Sequence, residues 1–163
     1  MTDKVLRMTR RFEVPPEKVF DAWTDSRLTR LWLFTSIQSE RNVTEIDVRV
    51  GGKWKMTDTR GGIDFTALGE YLEVDRPRRL VFTFGMPQFG PGIDTITVEF
   101  EPVGAGTLMT FTQSGADIAK EVSKVPAGEM GDTETGWTYM FMGLAEVVQD
   151  RIPIPPPMPH VPG

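Results

Sequence analysis

The sequence contains no cysteine, and its one histidine, His160, lies in the proline-rich last residues. The absence of cysteine excludes disulfides, thiolate nucleophiles and cysteine-ligated metals. With a single histidine, neither a Ser-His-Asp triad nor a histidine-based metal cluster is expected. The glycine-rich segments do not lie between a strand and a helix, as a dinucleotide-binding loop would require, and no phosphate-binding loop pattern occurs. We therefore predict neither a metal site nor a cofactor.

Long apolar runs are also absent. No stretch approaches the length of a membrane span, and the polar first residues do not form a signal peptide. The formal net charge of -5 disfavours binding to nucleic acid or to anionic membranes, which attract basic patches. We expect a cytoplasmic protein that binds neither. The length and the 39% hydrophobic content predict a single domain over residues 1–149, followed by a proline-rich tail over residues 150–163.

Alternation of apolar and polar residues dominates the first two thirds of the chain. Residues 5–14 alternate as a half-buried strand, and two prolines at positions 15 and 16 end it. Two short amphipathic helices follow, broken near Asp25. From residue 43 to residue 113 the pattern predicts about six strands joined by hairpin-length turns, with Gly69 as a candidate bulge or bend. Residues 116–125 fit a further short helix. These short connections predict an antiparallel sheet.

The segment 132–148 predicts the one long helix, with apolar residues at steps of three and four. Asp132 or Thr133 is expected to cap its start. A long apolar helix that follows a run of strands is expected to pack across the face of their sheet. The predicted fold is therefore α+β, with a curved antiparallel β-sheet wrapped around a long C-terminal α-helix and two short helices after the first strand. This is a helix-grip arrangement.

Several segments, in this order, resemble a known family. They are RRFEVPPEKVFDAWTD, DVRVGGKWKM, GEYLEVDRPRRLVFTF, VEFEPVGAGTLMTFTQSG and GWTYMFMGLAEVV. They are similar to homologues of the C-terminal domain of the heat-shock protein 90 ATPase activator, within the START-like superfamily, also called SRPBCC. The similarity spans approximately residues 6–148. It implies a helix-grip fold with a deep cavity between the sheet and the long helix.

The resemblance also implies a choice of functions. Members of the superfamily bind hydrophobic small molecules, some catalyse cyclisation or dehydration of polyketides, and a eukaryotic branch assists the chaperone. We take as the leading hypothesis the binding of a hydrophobic small molecule, aromatic, acyl or polyketide-like, in the cavity. A cyclase or hydrolase using the same cavity and a chaperone-interacting protein are the alternatives. A homodimer is a further hypothesis, in which the proline-rich tail packs on a neighbouring copy.

Aromatic and methionine side chains are numerous enough to line such a cavity as well as to fill a core. For any one of these residues, core packing is the competing interpretation. The predicted apolar lining consists of Trp32, Trp54, Met56, Phe65, Phe84, Met109, Phe111, Trp137 and Phe141.

Polar residues on apolar faces are sharper candidates for ligand contacts. Arg10 shares a strand face with apolar residues, Gln113 continues the phase of Met109 and Phe111, and Asp58 continues that of the 54–56 strand. We include Arg10 and Gln113 in the predicted ligand site. An inward Arg10 would need a carboxylate or an anionic ligand, because a buried charge is costly unless it is paired. The alternative is that a strand end or a bulge turns each of these residues to solvent or to a structural ion pair. A tyrosine, Tyr139 or Tyr71, is the candidate proton donor for an enzyme.

Overall fold

Seven antiparallel strands form one curved sheet in the computed structural model, which describes residues 4–35 and 39–153. The strands occur in the spatial order β1-β7-β6-β5-β4-β3-β2. The first strand of the chain, β1, therefore pairs with the last, β7, and β2 lies at the other end of the order. Their bounds are β1 Leu6–Phe12, β2 Arg41–Ile46, β3 Lys53–Arg60, β4 Ile63–Asp75, β5 Arg79–Phe84, β6 Asp94–Val103 and β7 Gly106–Ser114.

Four α-helices accompany the sheet in the described part of the chain. They are α1 Pro16–Thr24, α2 Ser26–Trp32, α3 Ala116–Lys124 and α4 Asp132–Val147. The two short helices after β1 and the long last helix confirm the predicted helix-grip arrangement. Asp25 separates α1 from α2, and its side chain accepts the Arg27 backbone N–H as an N-cap. The predicted loop over residues 86–92 contains a single 3-10 turn, Pro87–Phe89.

Gly69 lies where β4 passes close to both of its neighbours. A Cβ atom at this position would lie 1.8 Å from the Thr83 carbonyl oxygen and 2.6 Å from Trp54 Nε1. The glycine therefore permits the indole N–H of Trp54 to donate a 3.1 Å hydrogen bond to that carbonyl. The continuous ladder with β5 begins just after Gly69, at Tyr71, and its register shifts between Tyr71 and Glu73.

Helix α4 contributes one apolar face to the core. Trp137, Phe141, Leu144 and Val147 are buried at steps of three and four residues, which places them on one face of the helix. This face packs against β1, β7 and α2. Gly143 allows the close approach of α2, because a Cβ atom there would lie only 3.2 Å from Cβ of Trp32.

The start of α4 is capped differently from the prediction. Gly131 occupies the N-cap position, and neither Asp132 nor Thr133 caps the helix with its side chain. Instead, the carboxylate of Glu121 on α3 accepts the Thr133 backbone N–H at 3.1 Å and the Thr133 hydroxyl at 2.8 Å. A carboxylate from a neighbouring helix satisfies the helix start and favours its positive dipole end. The sequence spacing could not indicate a cap that comes from another element.

Residues 150–153 of the predicted proline-rich tail are among the described residues, and the rest of the tail, including His160, lies outside them. The single-domain assignment stays a prediction. None of the described helices is both long and apolar enough to cross a lipid bilayer.

Candidate functional site

A cavity of about 210 Å³, which we call the inner chamber, lies between the N-terminal half of α4 and the sheet. Its other walls come from strands β3, β4, β5 and β7, from the residues just after α2 and from the loop after β5. Aromatic rings and methionines dominate the lining, with a few polar side chains among them. The lining residues are Phe34, Thr35, Arg60, Phe65, Phe84, Met86, Phe89, Gln113, Thr133, Gly136, Trp137, Tyr139 and Met140.

Phe34 forms one wall from a strained backbone position. Its φ of 52° is in the left-handed region, which is unfavourable for a bulky residue. The ring stacks on Phe84 at 5.3 Å and on Trp54 at 5.9 Å, and its backbone N–H contacts Sδ of Met140 at 3.2 Å. The surrounding contacts hold this conformation, as is common at ligand sites.

Trp137, Gln113 and Asp94 form a chain of hydrogen-bonded side chains beside the chamber, which we call the polar seam. The Trp137 indole N–H donates to Gln113 Oε1 at 3.0 Å, and Gln113 Nε2 donates to Asp94 Oδ2 at 2.8 Å. All three side chains are buried. Because both ends of the Gln113 amide are engaged, its orientation and that of the Trp137 ring are fixed together.

Asp94 is the buried acid at the end of this seam. Burial raises the pKa of its carboxyl, and the negative charge of Asp117 acts in the same direction. The hydrogen bond from Gln113 and the nearby backbone N–H groups of Asp117 and Ile118, at the start of α3, lower the pKa in part. Oδ1 of Asp94 is enclosed and makes no well-formed hydrogen bond among the described residues. The site therefore contains a carboxylate whose charged form is only partly compensated.

Arg60 brings a positive charge to the lining of the chamber. Its Nε donates to Oδ2 of Asp58, and its guanidinium lies over the Phe65 ring, 5.0 Å from the centroid. The side chain of Asp58 is 2% exposed and that of Arg60 is 14% exposed. Asp58 also accepts the Ser39 hydroxyl at 2.8 Å and the Asn42 amide at 3.4 Å. Three donors thus engage the carboxylate, and its ion pair with Arg60 holds the guanidinium in place.

A second, more polar compartment of about 510 Å³ adjoins the inner chamber. We call it the outer compartment. The two share Phe84, Met86, Phe89, Gln113 and Thr133 as lining residues. The outer compartment also has four acidic lining residues: Asp94, Asp117, Glu121 and Asp132. The two spaces therefore differ in charge, with Arg60 in the inner one and carboxylates in the outer one.

The predicted apolar lining is divided by the structure. Phe65, Phe84 and Trp137, together with Gln113, line the inner chamber. Trp54 and Met56 face a separate void of about 10 Å³, too small for an organic ligand. The remaining predicted apolar residues are packed in the hydrophobic core and do not line either compartment: Trp32, Met109, Phe111 and Phe141.

Arg10 does not line the inner chamber either. It is half-buried, its guanidinium lies 5.6 Å from the Phe141 ring centroid, and Nη1 donates to the Thr9 carbonyl oxygen at 2.8 Å. The strand phase places Arg10 on the inner face as expected, but there its guanidinium contacts an aromatic ring and donates to a backbone carbonyl.

Sequence reasoning missed Arg60, and the signal was present. Along β3, alternate positions are occupied by Trp54, Met56, Asp58 and Arg60, so Arg60 shares the face that the pattern assigned to the first three.

Tyr139, one candidate proton donor, lines the chamber. The other, Tyr71, is buried beside the small void, and burial raises its phenol pKa. Residues 4–35 and 39–153 contain no group of three or more acidic or histidine side chains placed to hold a metal ion.

Comparison with known proteins agrees with this architecture. The family model described as Activator of Hsp90 ATPase homolog 1-like protein matches residues 13–149, so the chain belongs to that family. This confirms the resemblance seen in the sequence. Among curated proteins, no sequence matches the chain significantly.

Solved structures of bacterial proteins share the fold. A Chromobacterium violaceum protein is 26% identical with a TM-score of 0.69, over 89% of this chain and 96% of the other. A Staphylococcus aureus protein of unknown function is 25% identical with a TM-score of 0.71, over 90% and 95%. A Rhodobacter sphaeroides protein is 21% identical with a TM-score of 0.71, over 91% and 95%, which shows the fold alone.

Proposed function

We propose that this protein binds an apolar small molecule with the bulk of one or two aromatic rings in the inner chamber. The observation that carries the proposal is the chamber itself, about 210 Å³ of space walled by aromatic rings. Protein interiors are otherwise packed with few voids larger than a water molecule. An engineered apolar cavity of about 150 Å³ in another protein binds benzene, so the volume here suits a ligand of that class.

The composition of the walls supports the same conclusion. Ligand pockets are mainly apolar and aromatic, with a few polar groups that orient the ligand. Here the apolar walls include Phe34, Phe84 and Trp137, and the polar groups include Gln113 and Arg60. The network that fixes the Gln113 amide and the Trp137 ring preorganises one side of the chamber, which reduces the entropy lost on binding.

Binding of two neutral probes, toluene and indole, tests the proposal. Calorimetric titration and thermal unfolding of the full chain should show saturable binding and a rise in Tm, because a ligand of the native state stabilises it by mass action. A Gly136→Met variant should lose this binding. Gly136 lines the chamber, and a Cβ atom there would meet no other atom within 4 Å, so the longer side chain can occupy the space of the ligand.

Met142→Leu is the matched control, because Met142 lies on the same helix but is 62% exposed. This variant should bind both probes as the unchanged protein does. If neither toluene nor indole binds, or if Gly136→Met leaves their affinity unchanged, the proposal fails.

Catalysis in the same chamber is the second candidate function. Tyr139 and Gln113 place a phenol and an amide among the lining residues, and these are groups that can donate protons or hydrogen bonds to a reacting molecule. Mass spectrometry of a bound ligand before and after prolonged incubation distinguishes the two. If the mass of the ligand changes on incubation with the protein of unaltered sequence but not with Tyr139→Phe, the result would favour an enzyme.

The family description names an activator of the Hsp90 ATPase. The inner chamber does not bear on that activity, so chaperone interaction stays a separate hypothesis from the sequence. Capture of the chaperone by the immobilised full chain is its test.

A further inference from the structure

We infer that Arg60 recognises the carboxylate of a monoanionic aromatic ligand held in the inner chamber. This inference rests on the proposed function and names the chemical class of the ligand. Among the described residues that line the inner chamber, Arg60 is the one with a charged side chain. An oxygen of opposite charge on the ligand is therefore the group that this end of the chamber is suited to receive.

The hydrogen-bonding state of the guanidinium supports this assignment. A guanidinium has five N–H donors in a planar fork. Within the described part of the chain, Arg60 uses one of them, Nε, toward Asp58. The side chain is 14% exposed, so most of its surface is removed from bulk water. Donors in such an environment favour an acceptor, and a carboxylate binds two of them at once.

The surroundings of Arg60 hold this fork in a fixed position. Asp58 anchors the Nε edge, and Ser39 and Asn42 in turn hold Asp58. The Phe65 ring lies against one face of the guanidinium at 5.0 Å. An aromatic ring of the ligand would then lie among the chamber rings, with its carboxylate at the free edge of Arg60. The arrangement resembles the planar, bidentate recognition for which arginine is suited and lysine is not.

The charge of the outer compartment limits the ligand further. Asp94, Asp117, Glu121 and Asp132 line that space, and Arg60 does not. A ligand with a second negative group at its far end would place it toward these carboxylates. A ligand with one negative charge, at one end of its ring, therefore suits both compartments. A ligand with a second negative charge at the other end does not, because the outer carboxylates would repel it.

Benzoate and benzamide form a matched pair of probes, since they have nearly the same shape and differ in charge. We expect the full chain to bind benzoate at least about tenfold more tightly than benzamide, as charge-assisted hydrogen bonds are stronger than neutral ones. Terephthalate, which adds a second carboxylate across the ring, should bind more weakly than benzoate. Calorimetric titration at low and at moderate salt measures all three.

Variants at two arginines decide which cation is responsible. Arg60→Lys keeps the charge against Asp58 but removes the fork, so it should reduce the preference for benzoate. The double variant Asp58→Asn with Arg60→Met removes both charges together, leaves no unpaired buried charge and should abolish the preference while benzamide still binds. Arg10→Leu is the control, because Arg10 lies outside the chamber lining and its loss should leave the preference intact.

The outcomes separate this inference from the proposed function. Equal affinity for benzoate and benzamide, a preference that survives the Arg60 variants, or a preference lost in Arg10→Leu would overturn the inference and leave the apolar site in place. If toluene binds but neither benzoate nor benzamide does, the inference is overturned as well. If no probe of any charge binds, both proposals fail.

Discussion

Trp137 on α4 donates its indole N–H to the side-chain oxygen of Gln113 on β7, at 3.0 Å. This bond links the long helix to the sheet at the wall of the inner chamber. Gln113 in turn donates a hydrogen bond from its Nε2 to Asp94, the first residue of β6. Helix position, ring orientation and the charge state of a buried acid are therefore connected through one amide.

Replacement of Gln113 by leucine should lower the free energy of unfolding by about 2–4 kcal/mol, because it leaves the Trp137 N–H and an oxygen of Asp94 buried without their partner. Urea unfolding measures the loss. Adding Trp137→Phe, which removes the orphaned donor, should cost less in the Gln113→Leu background than in the unchanged protein. Strictly additive effects of the two changes would show that the bond is not coupled to stability.

The stability of the protein should depend on pH through Asp94. Burial raises the carboxyl pKa in the folded state above its ordinary value of 3.8, so the folded chain holds this proton more tightly than the unfolded chain. Between those two pKa values the folded state binds more protons, and this contribution to stability is lost as the pH rises. Asp94→Asn cannot titrate and should remove that loss.

The measurable quantity is the unfolding free energy of Asp94→Asn minus that of the unchanged protein. It should increase as the pH rises from below 3.8 through the raised folded value, and then level off. A difference that is constant or decreases over this range would contradict a raised pKa of Asp94.

Two glycines of α4 should respond in opposite directions to alanine. At Gly136 a new Cβ atom meets nothing within 4 Å, so Gly136→Ala should gain about 1 kcal/mol from helix propensity alone. At Gly143 the same atom would lie 3.2 Å from Trp32 Cβ, and overpacking should offset that gain. Because the helix-propensity gain is common to both changes, Gly143→Ala should be less stable than Gly136→Ala by about 1–3 kcal/mol. Equal unfolding midpoints would show that α2 and α4 are not in close contact there.

Local periodicity was sufficient to predict the elements and their order. Alternation along strands such as β7 and the three- and four-residue spacing of α4 are properties of short segments, and they persist in the folded chain. The cap of α4 was not predictable in this way, since Glu121 reaches Thr133 from another helix. The register shift on β4 was not located by the glycine signal either, since it lies between Tyr71 and Glu73, just beyond Gly69.

The candidate site shows the same limit more sharply. Alternation identified the inward face of β3, and it correctly assigned an inward phase to Arg10 on β1. It does not state what lies opposite an inward side chain. Arg10 meets the Phe141 ring in the core, whereas Arg60 borders the inner chamber.

The sequence by itself determined the fold class, the strand and helix order and the apolar face of the last helix, because each of these depends on residues that are near one another in the chain. Only the tertiary structure decided which aromatic side chains fill the core and which border empty space. That depends on where α4 and the sheet separate, and hence on contacts between residues distant in sequence, such as Trp137 with Gln113 and Phe34 with Phe84.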